Sequence, residues 1–484
     1  MTFIAMLVLC CVCRAAGSAQ TIRALSSQPP FVMQLAFLMT DGSIMAQSEQ
    51  GETWYRYVPD INGSYQSGTW SQLASLPKGY DPSAFSSAVL ADGRLAIIGG
   101  EYNGDSKYPL QLTNLGAIYD PATNVWTPLG HPTGWTYIGD SPSTMMPGGQ
   151  FFVGQKLTES AAYLTPKTLA WTSVGTTGKA DFNSEEGYTL LPDGSILTED
   201  VKDAPNSERY LASQGKWVTA GSTIVDLHSP TPIQGCLRYG PKPADCYYPP
   251  GEIGPAMLRP DGTVFATGSG SGANGNGAGH TAIYHTRGSL SGTWTAGPDF
   301  PNGDNAGDNF AALLPSGNVL VFGNSGNMYE FNGTQFTGVG SAGGVPLLLP
   351  TGQVLMLGNT VVLYTPSGKP QPSWAPTVTT VSKQITRGRT YQIAGTQFNG
   401  LSLAMSFGDE FQNATNYPLV RITNAKTHHV FYAKTHDHSS MGVATGSTPE
   451  STSFDVPAKM ETGASALEVV ANGIPSKAVS IVVH

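Results

Sequence analysis

The hydrophobic positions of this chain form short alternating runs that recur on either side of a tight turn. Each unit has a few apolar residues, a two-residue turn containing glycine, and a second apolar strand, as in FLMTDGSIMA, AVLADGRLAIIGG, TLLPDGSILT and ALLPSGNVLVFG. A turn of the Asp-Gly type suits a hairpin because its positive-φ positions match the twist of the flanking strands. The pattern therefore predicts antiparallel hairpins along most of the chain.

These turns recur at a nearly regular spacing. Their turn positions, which lie 51, 56, 45, 68, 55 and 35 residues apart, are Asp41, Asp92, Gly148, Asp193, Asp261, Ser316 and Thr351. Repeats of about 50 residues are typical of a kelch-type β-propeller, so we predict seven blades. The last interval is short, and residues 20 to 35 are predicted to lend the last blade its outer strand.

The repeat stops after VVLYTPSGKPQPSW, where proline, glycine and serine indicate a linker. Strands such as TYQIAGTQF, LVRITNA and ALEVVANG follow it, and their pattern predicts a small β-sandwich. We therefore divide the chain into a leader at 1–19, a propeller at 20–370 and a second domain at 371–484.

Composition supports an all-β fold and excludes two classes of partner. The chain has 58 glycines, 35 prolines and only 12% charged residues, a composition rich in turns and poor in helix formers. Its net charge is −9, and it has no cluster of lysine and arginine of the kind that neutralises phosphates. We therefore expect neither nucleic-acid binding nor a basic membrane-binding patch.

The first residues predict export. An apolar run from Phe3 to Cys13 is followed by small residues, which indicates a signal peptide cleaved near Ala19 and a secreted, periplasmic or extracellular protein. The run is too short to span a bilayer, so we expect no transmembrane anchor after cleavage. Two cysteines then remain, Cys236 and Cys246, and an even pair in an exported chain predicts a disulfide.

Several stretches resemble a known family. RLAIIGG and AIYDPATNVW resemble a kelch blade, and seven such blades before an immunoglobulin-like domain resemble galactose oxidase and the wider group of copper-radical oxidases. The segment YPLVRITNAKTHHVFYAKTHDHSSMGVATG is more similar to a large group of exported bacterial kelch proteins. The resemblance implies an immunoglobulin-like fold for residues 371–484, and it fixes architecture better than chemistry.

The copper site of the resembled oxidases is not matched. That family uses two tyrosines and two histidines, with one tyrosine cross-linked to cysteine, whereas the matching positions here hold Ala84 and either Gly307-Asp308 or Glu252-Ile253. Copper is therefore not expected.

The second domain nevertheless concentrates histidines, and its candidate transition-metal ligands are His428, His429, His436 and His438. His436 and His438 share one face of a strand, a spacing suited to chelation. The first two are also the only candidates for the last copper ligand, on a hairpin that the resemblance would send into the channel. The alternative is that all four are ordinary polar histidines bonded to the backbone.

The long loops predict which face carries a site. In an antiparallel blade, the tight turns share one face, while the connections between the second and third strands and between blades share the other. The long connections all belong to this second set, for example GGEYNGDSKYPLQLTNLG and IVDLHSPTPIQGCLRYGPKPADCYYPPGEIG. Loops gathered at one end of a rigid scaffold commonly carry function, so we expect the site there.

Acidic residues recur at one register of the innermost strands. Eight residues before the seven turn positions stand Met33, Ala84, Asp140, Glu185, Ile253, Asp308 and Gly343. Glu186 and Glu252 lie one residue from this register, and Asp304 is nearby. We predict that Asp140, Glu185, Glu252 and Asp308 line the channel mouth as candidate catalytic residues. The alternative is that these acids only accept bonds from strand-end amides.

Such a ring of carboxylates suits two kinds of chemistry. Carboxylates in one pocket raise one another's pKa, which can leave one as an acid and another as a base, as sugar cleavage or a lyase requires. Equally, oxygen ligands of this kind bind Ca²⁺. Further candidate ligand-binding residues are Glu186 and Asp304 and the aromatic side chains Tyr239, Tyr247 and Tyr248 of the cysteine loop.

The sequence therefore predicts a protein that binds or processes an extracellular carbohydrate or another small-molecule ligand. The alternatives are a copper-radical oxidase and a non-catalytic adhesion module.

Overall fold

Antiparallel sheets with four propeller strands each follow one another along the chain, and seven of them occur within the described residues. The structure, a computed structural model, describes residues 20–49, 51–104, 108–229, 235–272, 275–407 and 411–484. The predicted all-β, seven-bladed propeller is confirmed. The predicted signal peptide lies outside the described residues, and no described helix is long and apolar enough to cross a membrane.

The first six blades are consecutive meanders, and two short ribbons lie outside them. The N-terminal strand β1 is Thr21–Ala24. The blades are β2–β5 (Met33–Leu38, Ile44–Ser48, Trp54–Val58, Thr69–Gln72), β7, β8, β10 and β11 (Ser86–Val89, Leu95–Ile98, Gly116–Asp120, Val125–Pro128), β12–β15 (Ser143–Met145, Phe151–Gly154, Ala161–Thr165, Ala170–Val174), β16–β19 (Thr189–Leu190, Ile196–Glu199, Asn206–Leu211, Lys216–Ser222), β22–β25 (Ile253–Leu258, Thr263–Gly270, Gly279–His285, Thr293–Ala296) and β26–β29 (Ala311–Leu313, Val319–Phe322, Asn327–Phe331, Phe336–Ser341). The ribbons pair β6 (Pro82–Ser83) with β9 (Tyr102–Asn103) and β20 (Leu237–Arg238) with β21 (Cys246–Tyr247).

The seventh blade closes the ring with a strand from the other end of the chain. Its own strands are β30–β32 (Pro346–Leu348, Val354–Met356, Val362–Thr365), and β1 pairs with β32 from Thr21↔Thr365 to Ala24↔Val362. The prediction that residues 20 to 35 supply the missing outer strand is confirmed. The closure joins both ends of the propeller by main-chain hydrogen bonds, which leaves β32 without an open edge.

The first strand of each blade lies nearest the axis. These strands contact one another around the ring, and their side chains are almost entirely buried. Small residues are frequent in them, as in Ser-Ser-Ala-Val of β7 and Ala-Ala-Leu of β26, because strands that converge on an axis leave little room for large side chains.

All seven hairpin turns use one hydrogen-bond pattern. In the first, the Met39 N–H donates to the Ser43 carbonyl at 2.7 Å and the Gly42 N–H donates to the Met39 carbonyl at 2.9 Å. Only the glycine is left-handed, with φ of 73° at Gly42. This is a type I turn closed by a left-handed glycine, so the expectation of a two-residue turn with two positive-φ positions was wrong; the loop is one residue longer and needs only one such position.

The second domain forms two β-layers around one core. Its strands are β33–β42 (Thr377–Val381, Gln384–Ile385, Thr390–Thr396, Met405–Ser406, Leu419–Asn424, Val430–His436, Pro449–Asp455, Gly463–Ala471, Ile474–Pro475, Val479–Val483), and a 3-10 turn at Pro372–Trp374 precedes them. β38 pairs with β37 in its first half and with β39 in its second, and residues from both halves, such as Val420 and Phe454, share a buried cluster. The predicted sandwich is consistent with this arrangement. Its immunoglobulin-like designation stays a prediction, and the predicted boundary at 370/371 falls between β32 and β33.

One segment of the second domain enters the propeller axis. We call residues 403–407 and 411–417 the channel segment. Its strand β36 pairs with β26 of blade six, Phe411 forms a bridge with Phe85 of blade two, and the Asn413 amide donates to the carbonyl oxygens of Ala36 and Pro346 in blades one and seven. The axis is therefore filled by backbone and side chains from the second domain.

The rest of the second domain covers the face that carries the hairpin turns. The backbone N–H groups of Thr435, His438 and Met441 donate to carbonyl oxygens at Thr40, Ala91 and Pro147, which lie in the turns of blades one to three, at 3.0 to 3.1 Å. Since this face is covered, the opposite, loop-rich face is the one that remains available to a ligand.

Candidate active site

The predicted acids lie just before the innermost strands, at the loop-rich end of the axis. Glu185 and Asp308 occupy turns directly ahead of β16 and β26, and Ala84 holds the same place in blade two. All three have left-handed backbones, with φ of 62°, 53° and 49°. Non-glycine residues adopt this region at a cost, and such positions cluster at functional sites. The same strained register in three blades supports a site at this end.

A buried lysine holds the acids together. The Lys156 side chain is fully buried, and its Nζ lies 2.7 Å from Asp140 Oδ2, 2.9 Å from Glu185 Oε1 and 3.7 Å from Glu101 Oε1. The electrostatic influence of Glu252 and Asp308 reaches the same group of side chains. We call this set the acidic mouth; it comprises Glu101, Asp140, Lys156, Glu185, Glu252 and Asp308.

Lys156 and Glu185 are held in their charged forms. Burial alone would lower the pKa of Lys156, but the carboxylates of Asp140 and Glu185 outweigh it and raise that pKa well above its usual range. Burial alone would raise the pKa of Glu185, but Lys156 and hydrogen bonds from Tyr247 and Ser184 lower it. Glu185 is therefore a fixed negative charge at the floor of the acidic mouth.

The other carboxyls of the mouth shift in the opposite direction. The charge of Glu185, then burial and the charge of Asp308, raise the pKa of Glu252 well above its usual range. Desolvation and the charges of Glu185 and Glu101 raise the pKa of Asp308 to about 6. Glu252 is half-buried and Asp308 is exposed to solvent. Both pKa values are thus raised while that of Glu185 is lowered, and carboxyls whose pKa values are pushed apart in this way are what acid–base catalysis uses.

An aromatic groove adjoins the acidic mouth. A cavity of about 650 Å³ is lined by Tyr137, Phe182, Tyr239, Tyr247 and Tyr248, together with Pro249 and Pro250, and we call it the aromatic groove. It contains all three tyrosines that the sequence suggested as ligand contacts. Tyr248 is 55% exposed, whereas Tyr247 is only 5% exposed. The groove is therefore an open, mostly aromatic surface of the kind that stacks on a ligand.

Tyr247 connects the groove with the acidic mouth. Its ring lines the cavity, and its hydroxyl donates to Glu185 Oε1 at 2.6 Å and lies 2.5 Å from Ser184 Oγ. The Lys156 ammonium lies 5.2 Å from the centre of the same ring. A ligand in the groove that touches Tyr247 is thus one side chain away from the carboxylate network.

The disulfide predicted between Cys236 and Cys246 is confirmed. It closes the ribbon of β20 and β21, in which Leu237 pairs with Tyr247. Cys246 directly precedes Tyr247 in the chain, so the disulfide restrains the residue that joins the groove to the mouth.

Replacing Cys236 and Cys246 by serine should loosen this ribbon. Closing a loop of 10 residues stabilises it by roughly 2 to 3 kcal/mol in the chain-entropy account, so we expect amide hydrogen exchange at residues 236–248 to accelerate by about a hundredfold. Exchange in the blade strands should stay unchanged, and a reductant should speed exchange in the native protein but not in the double variant. Equal protection in both proteins would show that the disulfide does not hold Tyr247.

Two other predicted ligand-binding acids are held by internal partners. Glu186 is fully buried and accepts hydrogen bonds from Lys179 and Thr198. Asp304 accepts bonds from the Ser325 hydroxyl, from the Asn305 and Ser325 N–H groups and from the Tyr329 hydroxyl, which together outweigh burial and lower its pKa. Asp304 also lines a polar hollow of about 250 Å³ beside the loop at 275–277. Only Asp304 therefore meets a cavity, and that cavity is separate from the aromatic groove.

A second set of buried acids lies in blade four. The Lys179 ammonium contacts Glu186 at 3.0 Å and Glu208 at 2.8 Å. Glu199 and Asp200 lie in or next to β17, each 3% exposed, and burial raises the pKa of each to about 8. Neither Asp200 oxygen has a hydrogen-bond partner within the described residues. We call this set the blade-four cluster; it comprises Lys179, Glu186, Glu199, Asp200 and Glu208. We expect it to influence the stability of the protein rather than activity at the acidic mouth.

The four histidines of the second domain are not gathered around one point by any contact in the structure. His429 Nδ1 lies 2.7 Å from Glu461, and His436 contacts Asp437 and Asp455. His438 is buried, and desolvation lowers its pKa to about 3; its Nδ1 lies 2.8 Å from Thr452 Oγ1. The turn with His428 follows β37 and is not part of the channel segment. Within the described parts of the chain, no three histidine, cysteine or acidic side chains are arranged to hold a metal ion.

The residues at the mouth do not fit copper. The places that would hold tyrosine and histidine carry Ala84, Glu252 and Asp308, and the channel segment, which enters the axis in place of the His428 turn, contains no histidine between 403 and 417. Calcium also lacks geometric support, since the Lys156 ammonium already lies between Asp140 and Glu185. The Lys156 ammonium thus occupies the place between these carboxylates that a Ca²⁺ ion would take.

Sequence reasoning missed Lys156 and Glu101. They lie eight and nine residues after their turn positions, at the end of the second strand of blades three and two. Because that strand runs back to the face from which the first one came, counting forward from each turn would have found both. The positions of the acids were counted only on the first strand of each hairpin, so the residues that follow the second strand were not considered.

Comparisons with known proteins support the fold. No family model matches the chain. An F-box/kelch-repeat protein of Arabidopsis thaliana is 38% identical over 58 residues, which is 12% of this chain and 16% of that protein, so the chain spans about 16% of the length of the curated relative that it matches.

Solved structures match over a longer range. A fungal alcohol oxidase of the AA5 family, solved in complex with copper, has 14% identity and a TM-score of 0.50 over 96% of this chain and 99% of its own. Virginiamycin B lyase from Staphylococcus aureus has 11% identity and a TM-score of 0.47 over 72% and 99%. At these low sequence identities, the similarity shows a shared fold and does not extend to activity.

Fold and repeat similarity together define the class. The chain is a seven-bladed β-propeller with kelch-like repeats, followed by a second β-domain, and it shares this fold with the fungal AA5 alcohol oxidase. Its mouth carries carboxylates and a lysine where the copper oxidases are expected to carry tyrosine and histidine.

Proposed function

We propose that this protein binds an extracellular carbohydrate in the aromatic groove and hydrolyses it at the acidic mouth. The observation that carries the proposal is Tyr247, whose ring lines the groove and whose hydroxyl donates to Glu185 at 2.6 Å. Aromatic faces stack on sugar rings, and paired carboxyls of opposite protonation cleave glycosidic bonds. An exported location is supported by the leader-like first residues and by the disulfide.

Glu252 and Asp308 have different catalytic roles because they differ in protonation. Glu252, which stays protonated, donates its proton to the glycosidic oxygen as the carbon–oxygen bond breaks. Asp308, ionised above about pH 6, takes a proton from the water that attacks the anomeric carbon. Glu185 and Lys156 are positioning residues, because they are saturated by internal contacts and set the electric field that separates the two pKa values.

The test combines a glycan screen with two isosteric substitutions. Purified protein is incubated with a panel of polysaccharides, and new reducing ends are measured together with binding. We expect Asp308→Asn and Glu252→Gln each to lower turnover by about a hundredfold or more while binding persists. The matched control is Asp299→Asn, an exposed acid whose partner is His280, and it should keep full turnover.

The pH profile gives an independent readout. Turnover should rise as pH increases through about 6, where Asp308 loses its proton, and fall only at higher pH, where Glu252 does. Full turnover in both variants would contradict the assignment of these carboxyls. Binding without any new reducing ends would show a carbohydrate-binding module instead of an enzyme, and a protein that retains no glycan of the panel would refute the proposal.

A further inference from the structure

The acidic mouth carries more negative charge than its lysine balances. Lys156 is fully buried and engaged by Asp140, Glu185 and Glu101, so its charge is already compensated. Among the described residues, the cation whose charge acts on both Glu252 and Asp308 is this same, shared lysine. The accessible carboxyls therefore lie in a negative potential, which favours a ligand that brings positive charge.

The accessible carboxyls lie at the loop-rich face, which is the face open to a ligand. Asp308 is open to solvent and Glu252 is half-buried, whereas the side chain of Lys156 is not exposed at all. The basic side chains that line the aromatic groove have partners of their own: the Lys202 ammonium lies 5.1 Å from the centre of the Phe182 ring, and His228 Nδ1 lies 2.6 Å from Asp226 Oδ1. An incoming ammonium group would thus meet carboxyls first, and an incoming carboxylate would be repelled.

The adjoining groove selects a ligand with flat apolar faces. Tyr248 is 55% exposed, Tyr239 is half-buried, and the rings of Tyr137 and Tyr239 lie 5.7 Å apart in one wall. The volume of about 650 Å³ accommodates several sugar rings rather than a single amine. Aromatic faces also attract cations, so the wall and the mouth favour the same ligand charge.

We propose that the ligand of this site is a glycan with free amino groups, built of glucosamine-type units. The sugar rings stack in the aromatic groove, and the ammonium group of one unit contacts Asp308 and Glu252. The inference rests on the proposed function for the location of the site, and it adds the chemical class of the ligand.

A bound ammonium should also release protons from the mouth. A positive charge next to Asp308 stabilises its ionised form, so its pKa, about 6 in the free protein, falls on binding. At pH 6 the complex therefore holds fewer protons than the free protein. This release is measurable by titration calorimetry in buffers of different ionisation enthalpy, and a ligand without an amine would not cause it.

The decisive experiment compares a matched pair of oligosaccharides. Calorimetry at low salt measures binding of the glucosamine hexamer, of the fully N-acetylated hexamer and of an oligolysine peptide. We expect the glucosamine hexamer to bind about tenfold tighter than either of the others, and its affinity to fall as salt increases.

Two variants locate the effect. Asp308→Asn should remove the preference for the free amine and the proton release while the N-acetylated hexamer binds as before, and asparagine tolerates the left-handed backbone at this position. Glu252→Gln is a second variant at a backbone position that is not left-handed. The exposed Asp299→Asn should bind like the native protein.

Each outcome decides between the two proposals. Equal affinity for both hexamers, or oligolysine bound as tightly as the glucosamine hexamer, overturns the amino-glycan assignment. A neutral or acidic polysaccharide that binds and is cleaved while both hexamers fail also overturns it but leaves the proposed function standing. If no glycan binds at all, both proposals fall.

Discussion

Replacing Lys156 by methionine is expected to lower the free energy of unfolding by about 3 to 5 kcal/mol, the usual cost of removing one partner from a buried ion pair. The Lys156 side chain is fully buried and contacts Asp140 and Glu185 within 2.9 Å. Without the ammonium, these carboxylates remain buried and repel each other, whereas methionine keeps most of the side-chain volume. Urea unfolding followed by tryptophan fluorescence at pH 7 measures the loss.

A surface lysine provides the matched control for this change. Lys167 is exposed, and Lys167→Met should alter the free energy of unfolding by less than about 0.5 kcal/mol. The loss in Lys156→Met should also shrink as pH falls towards 4, because the stranded carboxylates then take up protons. A loss below 1 kcal/mol at pH 7, or one that does not change with pH, would mean that the lysine does not organise the mouth.

Replacing Glu199 by glutamine is expected to stabilise the protein at pH 8 and to flatten its dependence on pH. Burial raises the pKa of Glu199 from its ordinary value to about 8, so the folded protein keeps a proton that the unfolded chain releases near pH 4.5. Between these two values the folded state binds more protons, and the free energy of unfolding falls as pH rises. Glutamine removes this contribution.

The size of the gain follows from the shift. Each unit of pKa corresponds to about 1.4 kcal/mol, so the variant should gain several kcal/mol at pH 8 and almost nothing at pH 4. Denaturant unfolding at both pH values measures the difference. The exposed Glu159→Gln should show no such trend. A Glu199→Gln variant that is less stable than the native protein at pH 8 would show that the carboxylate is charged and paired there.

The register of the repeats explains how much of the site could be predicted. In a ring of equivalent hairpins, the same position of each hairpin lies at the same level along the axis. Counting eight residues back from each turn therefore assigned Asp140, Glu185 and Asp308 to the same end of the axis. Such counting is possible because strand geometry is periodic, and the same periodicity is present in the sequence. Chemistry was less accessible, since the opposite pKa shifts of Glu185 and Glu252 depend on distances between different blades.

Packing between domains accounts for most of what was missed. The resemblance placed the turn of His428 as the candidate to enter the channel, whereas the structure places residues around β36 there, paired with the innermost strand of blade six. Nothing in the local pattern of Met405–Ser406 marks it as a strand that completes another domain's sheet. Glu186, next in sequence to Glu185, was likewise assigned to a ligand although it belongs to a buried pair with Lys179.

The pairing of Thr21 with Thr365 also determines when the propeller can finish folding. Strand β1 is among the first parts of the propeller to leave the ribosome, yet its partner β32 is synthesised only after the six intervening blades. Contacts between such distant residues require a large loop to close, which slows folding. The last blade is therefore assembled last, and β1 waits unpaired through most of synthesis.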